Sequence, residues 1–465
     1  MGLDDLNFKS VSELSRMLRS RKVSSVELTK HFLERLQQFG PGYNAVAELT
    51  SHLAMTEARL ADKRLRKSTH IESPLLGVPY GVKDIFATKN IPTRWGAPPF
   101  RHQVFSYDAT VIQSMQHAGS VLIGKLAMIE LAGAGGYAKT NASLHGPGLN
   151  PWNTQYWSGG SSSGSGSAVA AGLLPFALGT ETWGSIICPS AFCGITGLRP
   201  TFGRVSRFGV MELAWNIDKV GPMARSAEDC GLILQAIAGE DLQDQSTIGY
   251  PIFKFRPRIS PKRFHLGILS RDFSHEPGIE RIFKNALRVL REAGTKFSFV
   301  KLPDYLVFSE LATTIMGGEI AAAHAEFIKS KQLNQLVDSS QKQDLKNFLH
   351  ITATDYLRAV RKRDLLAKQV FETLNKFDAF VSPSVTEAVK INTNLLKIPS
   401  HKRDHYSVLG TLFGLPALTI PMGFGKNNLP LGMSITGKLF DENTLLQIGM
   451  LFQQETNWHR MSPSI

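Results

Sequence analysis

From residue 131 to 210 the chain is rich in Gly, Ser and Ala and poor in charge, and near its centre it reads GGSSSGSGS (159–167). Such a stretch ordinarily reads as a flexible linker. Here it is bracketed by NPWNTQYW (150–157) and AVAAGLLPFALG (168–179), both apolar enough to be buried. A linker threaded through a core would leave its backbone N–H and C=O groups without partners. The block therefore belongs to the core as a set of tight turns, and the rest of the chain has to be built around it.

The surrounding sequence alternates helical patterns with short buried strands. SVSELSRMLRSRK and SSVELTKHFLERLQQFG each start at a Ser cap, the first with Glu three residues on. SHLAMTEARLADKRLRK follows as a third amphipathic helix, so that residues 1–70 read as a helical N-terminal part. PLLGVPYGVKD is a short apolar run punctuated by Gly and Pro, and ATVIQSMQHAGSVLIGK reads as helix, Gly turn and strand. Further on come a helix capped at Ser226, the strand FHLGILS, and a helix with Ile279, Phe283, Ala286, Leu287 and Leu290 on one face. The tail offers a long helix feeding DAFVSPS, then the strands PALTIPMGF and LPLGMSITGKL, then the helix NTLLQIGMLFQQE. This alternation predicts a layered α/β fold. With no repeat and no long polar linker, one domain over 1–465 is expected, the loosest stretch and best lobe boundary being 240–262.

Several chemistries compete for the Gly/Ser block. A phosphate loop needs a Lys after its second Gly, and none follows. CPSAFC (188–193) and HAE (324–326) carry some ligand types of a zinc deaminase, but in reversed order and with the wrong cysteine spacing. No metal or cofactor is therefore expected, and core packing is the expected role of Cys188, Cys193 and Cys230. Serine nucleophilic catalysis fits better. Gly beside Ser allows a sharp turn that lets successive N–H groups converge on an oxyanion, and GTETWGS (179–185) has that form. A base is still required. None of the 13 histidines has a comparably distinctive setting, His145 in ASLHGPG coming closest. Lys83 lies at the end of GVPYGVKD, where burial would disfavour its charged form; it reads equally well as a base or as the partner of Asp84 or another acid.

At this point the sequence resembles the amidase signature enzymes. SGGSSSGSGSAVAAGLLPFALGTETWGSIICPSAFCGITGLRPTFGRVSRFG is similar to that family's Gly/Ser-rich signature, and GVPYGVKD, NPW and GLPALTIPMGF…LPLGMSITG fall in the family's order. The resemblance covers essentially the whole chain. It implies a large mixed β-sheet covered by helices on both faces, and a Ser–Ser–Lys triad: Lys83 the base, Ser161 the bridging serine after a cis peptide bond, Ser185 the nucleophile. It also implies an oxyanion hole at the N–H groups of Thr182, Trp183, Gly184 and Ser185. Substrate contacts are expected from Gly135, within Gly133–Tyr137, and from the apolar region 305–327. Four positions depart from the family pattern: Trp183 for a small residue, Ile187 for Arg, Ser163 for Gly and Ser434 for Gln.

The resemblance implies hydrolysis of a small-molecule amide through an acyl-enzyme. HITATDYLRAVRKRD is similar to generic amidases rather than to the glutamine-hydrolysing component of glutamyl-tRNA amidotransferase, which favours a stand-alone hydrolase. That component, and a non-catalytic binding protein of the same fold, are the alternatives. The net charge of +13 is scattered, apart from KRLRK (63–67) and RKRD (361–364) on helical patterns, and no nucleic-acid motif accompanies it, so a nucleic-acid partner is not expected. Three cysteines, no signal-like N-terminus and no unbroken apolar run of about 18 residues point to the cytoplasm and away from a membrane, though a chain trimmed of its leader reads the same. A homodimer is left open.

Overall fold

Eleven strands form one mixed sheet that runs through the described part of the computed structural model, which comprises residues 3–67, 73–134, 136–259, 263–269, 277–397 and 407–464. In chain order the strands are β1 (Val46–Leu49), β2 (Pro79–Lys83), β3 (Val121–Leu126), β4 (Leu149–Asn150), β5 (Asn153–Trp157), β6 (Phe176–Glu181), β7 (Thr196–Arg199) and β8 (Lys219–Ala224). There follow β9 (His265–Leu269), β10 (Lys296–Val300), β11 (Ala379–Pro383), β12 (Ala417–Phe424) and β13 (Pro430–Gly437). The sheet order is β1-β3-β2-β6-β8-β7-β12-β13-β11-β9-β10, with β4 and β5 paired as a separate hairpin. Parallel pairs (β2 with β3 and β6, β9 with β10 and β11) sit towards the two sides of an antiparallel middle. Every residue of β2, β3, β6, β7, β8, β11 and β13 is buried. That is why these strands read as unbroken apolar runs: a sheet covered on both faces has no polar side to alternate with.

Helices cover the sheet, and their ends lie where the caps are. Ser10 and Ser24 each close a reciprocal capping box, with Glu13 and Glu27, at the starts of helices Val11–Arg19 and Ser25–Phe39. Ser226 caps helix Ala227–Ile237, which packs on helix Glu442–Gln454. The predicted apolar face of helix Pro277–Glu292 is buried at all five positions.

Two short helices lie inside the Gly/Ser block and were not apparent from its composition. Ser163–Ala170 is buried at every residue and packs against Ile187–Cys193. Both are too small-residued or too short to show a periodic pattern, and tertiary packing rather than propensity holds them. Helix Tyr305–Lys329 passes the length and composition test for a membrane span, although Glu310 and Glu319 interrupt its apolar run. It packs on helices Ser339–Phe348 and Ala353–Leu374.

Candidate active site

Lys83 ends β2 and is completely buried. Its Nζ lies 2.7 Å from Ser161 Oγ and 2.8 Å from Thr180 Oγ1. Burial pushes its pKa down to about 7, against the upward pull of the Asp218 and Glu181 carboxylates. Asp84 is not its partner: that carboxylate faces Lys125 at 3.1 Å, both side chains being fully buried. Lys83 forms no ion pair among the described residues. Of the two readings that the sequence left level, the geometry retains a lysine able to be neutral near pH 7.

Ser161 is delivered by the turn after β5. The Gly160–Ser161 peptide is cis, and Gly159 has φ +85°. A Cβ on Gly159 would come within 2.8 Å of Pro189 Cα, so only glycine fits against the backbone of helix Ile187–Cys193. The Ser161 carbonyl accepts from Ile129 N–H at 3.1 Å, and Ser162 N–H donates to the Ser185 carbonyl at 3.3 Å. The two serine-bearing stretches are thereby held side by side.

Ser185 sits in the turn between β6 and helix Ile187–Cys193, where Gly184 has φ +82°. Two buried carboxylates fix that turn at its ends. Glu181 accepts from the N–H groups of Ile186 (2.8 Å) and Ile187 (2.9 Å), and its other oxygen takes Arg199 Nη1 at 2.6 Å. Burial alone would raise its pKa, but Arg199 and the two N–H groups outweigh it and hold Glu181 below its ordinary value. Arg199 also donates to the carbonyls of Ser407 and Leu415, each at 3.2 Å. At the other end Thr182 Oγ1 donates to Asp218 Oδ1 at 2.5 Å, while Asp218 Oδ2 accepts from Leu213 and Ala214 N–H. Neither Gly184 nor Ser185 N–H has an acceptor among the described residues. Two free donors beside a serine hydroxyl can hold a developing oxyanion.

A cavity of about 370 Å³ opens over Ser185. Gly160, Thr182, Trp183 and Gly184 line its floor. Tyr305, Ser309, Thr313 and Met316 line one side; their spacing of three and four puts them on one stripe of helix Tyr305–Lys329. Tyr137, Trp157, Phe192 and Val389 line the other. No described residue lining the cavity carries a charge.

Lys83, Ser161, Ser185, Thr182, Trp183 and Gly184 are thus gathered at one place, and the region 305–327 contributes as expected. Gly135 lies outside the described residues, while its neighbours Gly133, Gly136 and Tyr137 line the cavity. Cys193 and Cys230 are buried in the core, but Cys188 corrects the expectation for all three: one turn beyond Ser185, it reaches the cavity wall. Ile187 is buried and Ser434 bonds to Thr419 and Ser384 within the sheet; neither lines the cavity. His145 does not line it either, and His324 bonds the Glu212 carbonyl at 2.7 Å. Sequence reasoning missed Thr180, Glu181, Arg199 and Asp218. The available signal was isolated charge in otherwise uncharged, buried sequence, which calls for a partner.

The comparisons with known proteins identify the family. The Amidase family matches residues 27–446. A glutamyl-tRNA(Gln) amidotransferase chain of Methylococcus capsulatus is 35% identical, across 98% of this chain and 99% of the relative. Its counterpart in Coxiella burnetii is 34% identical over the same shares. The solved peptide amidase of Stenotrophomonas maltophilia superposes with a TM-score of 0.87 at 29% identity, covering 97% of each chain. The chain belongs to the amidase family and is a hydrolase acting on carbon–nitrogen amide bonds.

Proposed function

We propose that this amidase cleaves an uncharged, apolar carboxylic amide, with Ser185 as nucleophile, Ser161 as proton relay and Lys83 as base. The observation that carries the reading is a buried lysine at 2.7 Å from Ser161, its pKa lowered to about 7, beneath a cavity whose described walls bear no charge.

In the first step neutral Lys83 takes the Ser161 hydroxyl proton as Ser161 takes that of Ser185, whose oxygen attacks the amide carbonyl carbon. The carbonyl oxygen becomes an oxyanion held by the Gly184 and Ser185 N–H groups, with those of Thr182 and Trp183 beside them. Collapse breaks the C–N bond, and the leaving nitrogen collects the proton through Ser161. Water then attacks the seryl ester by the reverse relay, releasing the acid and regenerating Ser185. Each oxyanion donor is worth on the order of 10²–10³ in rate. The three cysteines are free, which suits a reducing compartment such as the cytoplasm.

Amine or ammonia release from a panel of aliphatic, aryl and amino-acid amides, with Ser185→Ala alongside, tests the reading. Turnover that disappears in the variant supports it; turnover that persists removes Ser185 as the nucleophile. A second reading, the glutamine-hydrolysing component of a tRNA-dependent amidotransferase, is favoured by the names of the 34–35% identical relatives. Glutamine turned over only with partner proteins and charged tRNA, beside silence on simple amides, would select it.

A further inference from the structure

The cavity over Ser185 lies between two separate hydrophobic clusters. Trp183 and Tyr305 belong with one, together with Phe308, Leu311 and Leu409. Tyr137, Trp157 and Phe192 belong with the other. Ser185 stands between them. Trp183 is two residues before it on the first side; on the second, a Cβ on Gly160 would touch Trp157 at 2.9 Å and the Tyr137 hydroxyl at 2.9 Å.

An amide has two sides, an acyl carbon and a nitrogen, and the carbonyl carbon must sit at Ser185 Oγ. A primary amide loses ammonia, which fills no space and gains nothing from an apolar wall. Such a substrate would use one wall and leave the other facing water. A cavity of about 370 Å³ is of the size that encloses a drug-like ligand rather than a small primary amide. Apolar contact on both sides also supplies binding energy away from the reacting bond, which can be used to hold that bond in place.

Resting on the reading of this site as an amide-hydrolysing one, we infer that the substrate class is the N-substituted amide with an apolar group on each side of the C–N bond, one against the Trp183–Tyr305 wall and the other against the Tyr137–Trp157 wall. The acyl group passes to Ser185 Oγ, the C–N bond breaks, and the nitrogen leaves as a primary alkyl- or arylamine after gaining one proton. Water then frees the apolar carboxylic acid.

A matched series tests this: one acyl group as its primary amide, N-butyl amide and anilide, and one amine carrying acetyl, hexanoyl and phenylacetyl groups. The wild type, Trp183→Ala and Tyr137→Ala are compared, both positions being half-buried and so tolerant of truncation. The wild type is expected to prefer the N-substituted members by about tenfold or more in kcat/KM. Each variant should lower kcat/KM by about tenfold for bulk on one side of the amide only, and the two variants on opposite sides. Equal or faster turnover of the primary amide, or both variants acting on the same substituent, overturns the inference while leaving the amidase reading intact. Silence on every amide, with Ser185 unlabelled by a fluorophosphonate, overturns both.

Discussion

Lys83 can accept a proton only if it reaches the working pH without one, and its burial lowers its pKa to about 7. In the proposed mechanism the active form is the neutral one, so activity is expected to be lost as the pH falls through that value and retained above it. We expect kcat/KM to drop about tenfold per pH unit below pH 7. A profile flat down to pH 5 would contradict a lysine base. A second residue acts at one remove. Thr182 donates its hydroxyl proton to Asp218, at 2.5 Å, and so anchors the start of the turn that offers the Gly184 and Ser185 N–H groups. Thr182→Val should lower kcat by about 10²-fold with KM little changed, through misplacement of those donors. Thr182→Ser should restore most of it, since it keeps the hydroxyl. A variant that changes KM alone would assign Thr182 to substrate binding instead.

Elements with a period were legible in the sequence, and elements without one were not. The capping boxes at Ser10 and Ser24, the Ser226 cap and the buried stripe of helix Pro277–Glu292 follow from hydrogen bonds and spacings that belong to one segment. The helices Ser163–Ala170 and Ile187–Cys193 depend on each other: their small residues let the backbones meet, a relation between segments that no local window contains. Gly159 shows how close that meeting is. Gly159→Ala would put a methyl group 2.8 Å from Pro189 Cα at φ +85°, and should cost about 2 kcal/mol or more in chemical denaturation. An unchanged midpoint would mean that the two segments are not tightly packed. The site residues divide in the same way. Lys83, Ser161 and Ser185 were named through the resemblance to the amidase signature enzymes, whereas the glycine-punctuated pattern alone left Lys83 level between a base and an ion-pair partner. Thr180, Glu181, Arg199 and Asp218 were not, because each has a side-chain partner distant in sequence: Lys83 for Thr180, Arg199 for Glu181 and Thr182 for Asp218.

On the scale of the whole molecule, the pairing of β2 with β6 in the mixed sheet brings Lys83 near the turn after β6, and the turn after β5, outside that sheet, meets them through the Lys83–Ser161 and Ser162–Ser185 hydrogen bonds. Helix Tyr305–Lys329 then closes one side of the space above them with a single stripe. The fold thus separates two tasks. Buried charge (Lys83, Glu181, Arg199, Asp218) lies beneath the floor and fixes the reacting groups, while the described walls above are uncharged. On the proposed reading, that division keeps proton transfer dry while the space above admits an apolar amide. The most direct measurement is the mass of the intact protein mixed rapidly with an apolar anilide, followed by peptide mapping of the trapped adduct. The account predicts one acyl group, borne by Ser185, in the wild type and none in Ser185→Ala. Turnover with no adduct on Ser185, or with the acyl group on another residue, would contradict it.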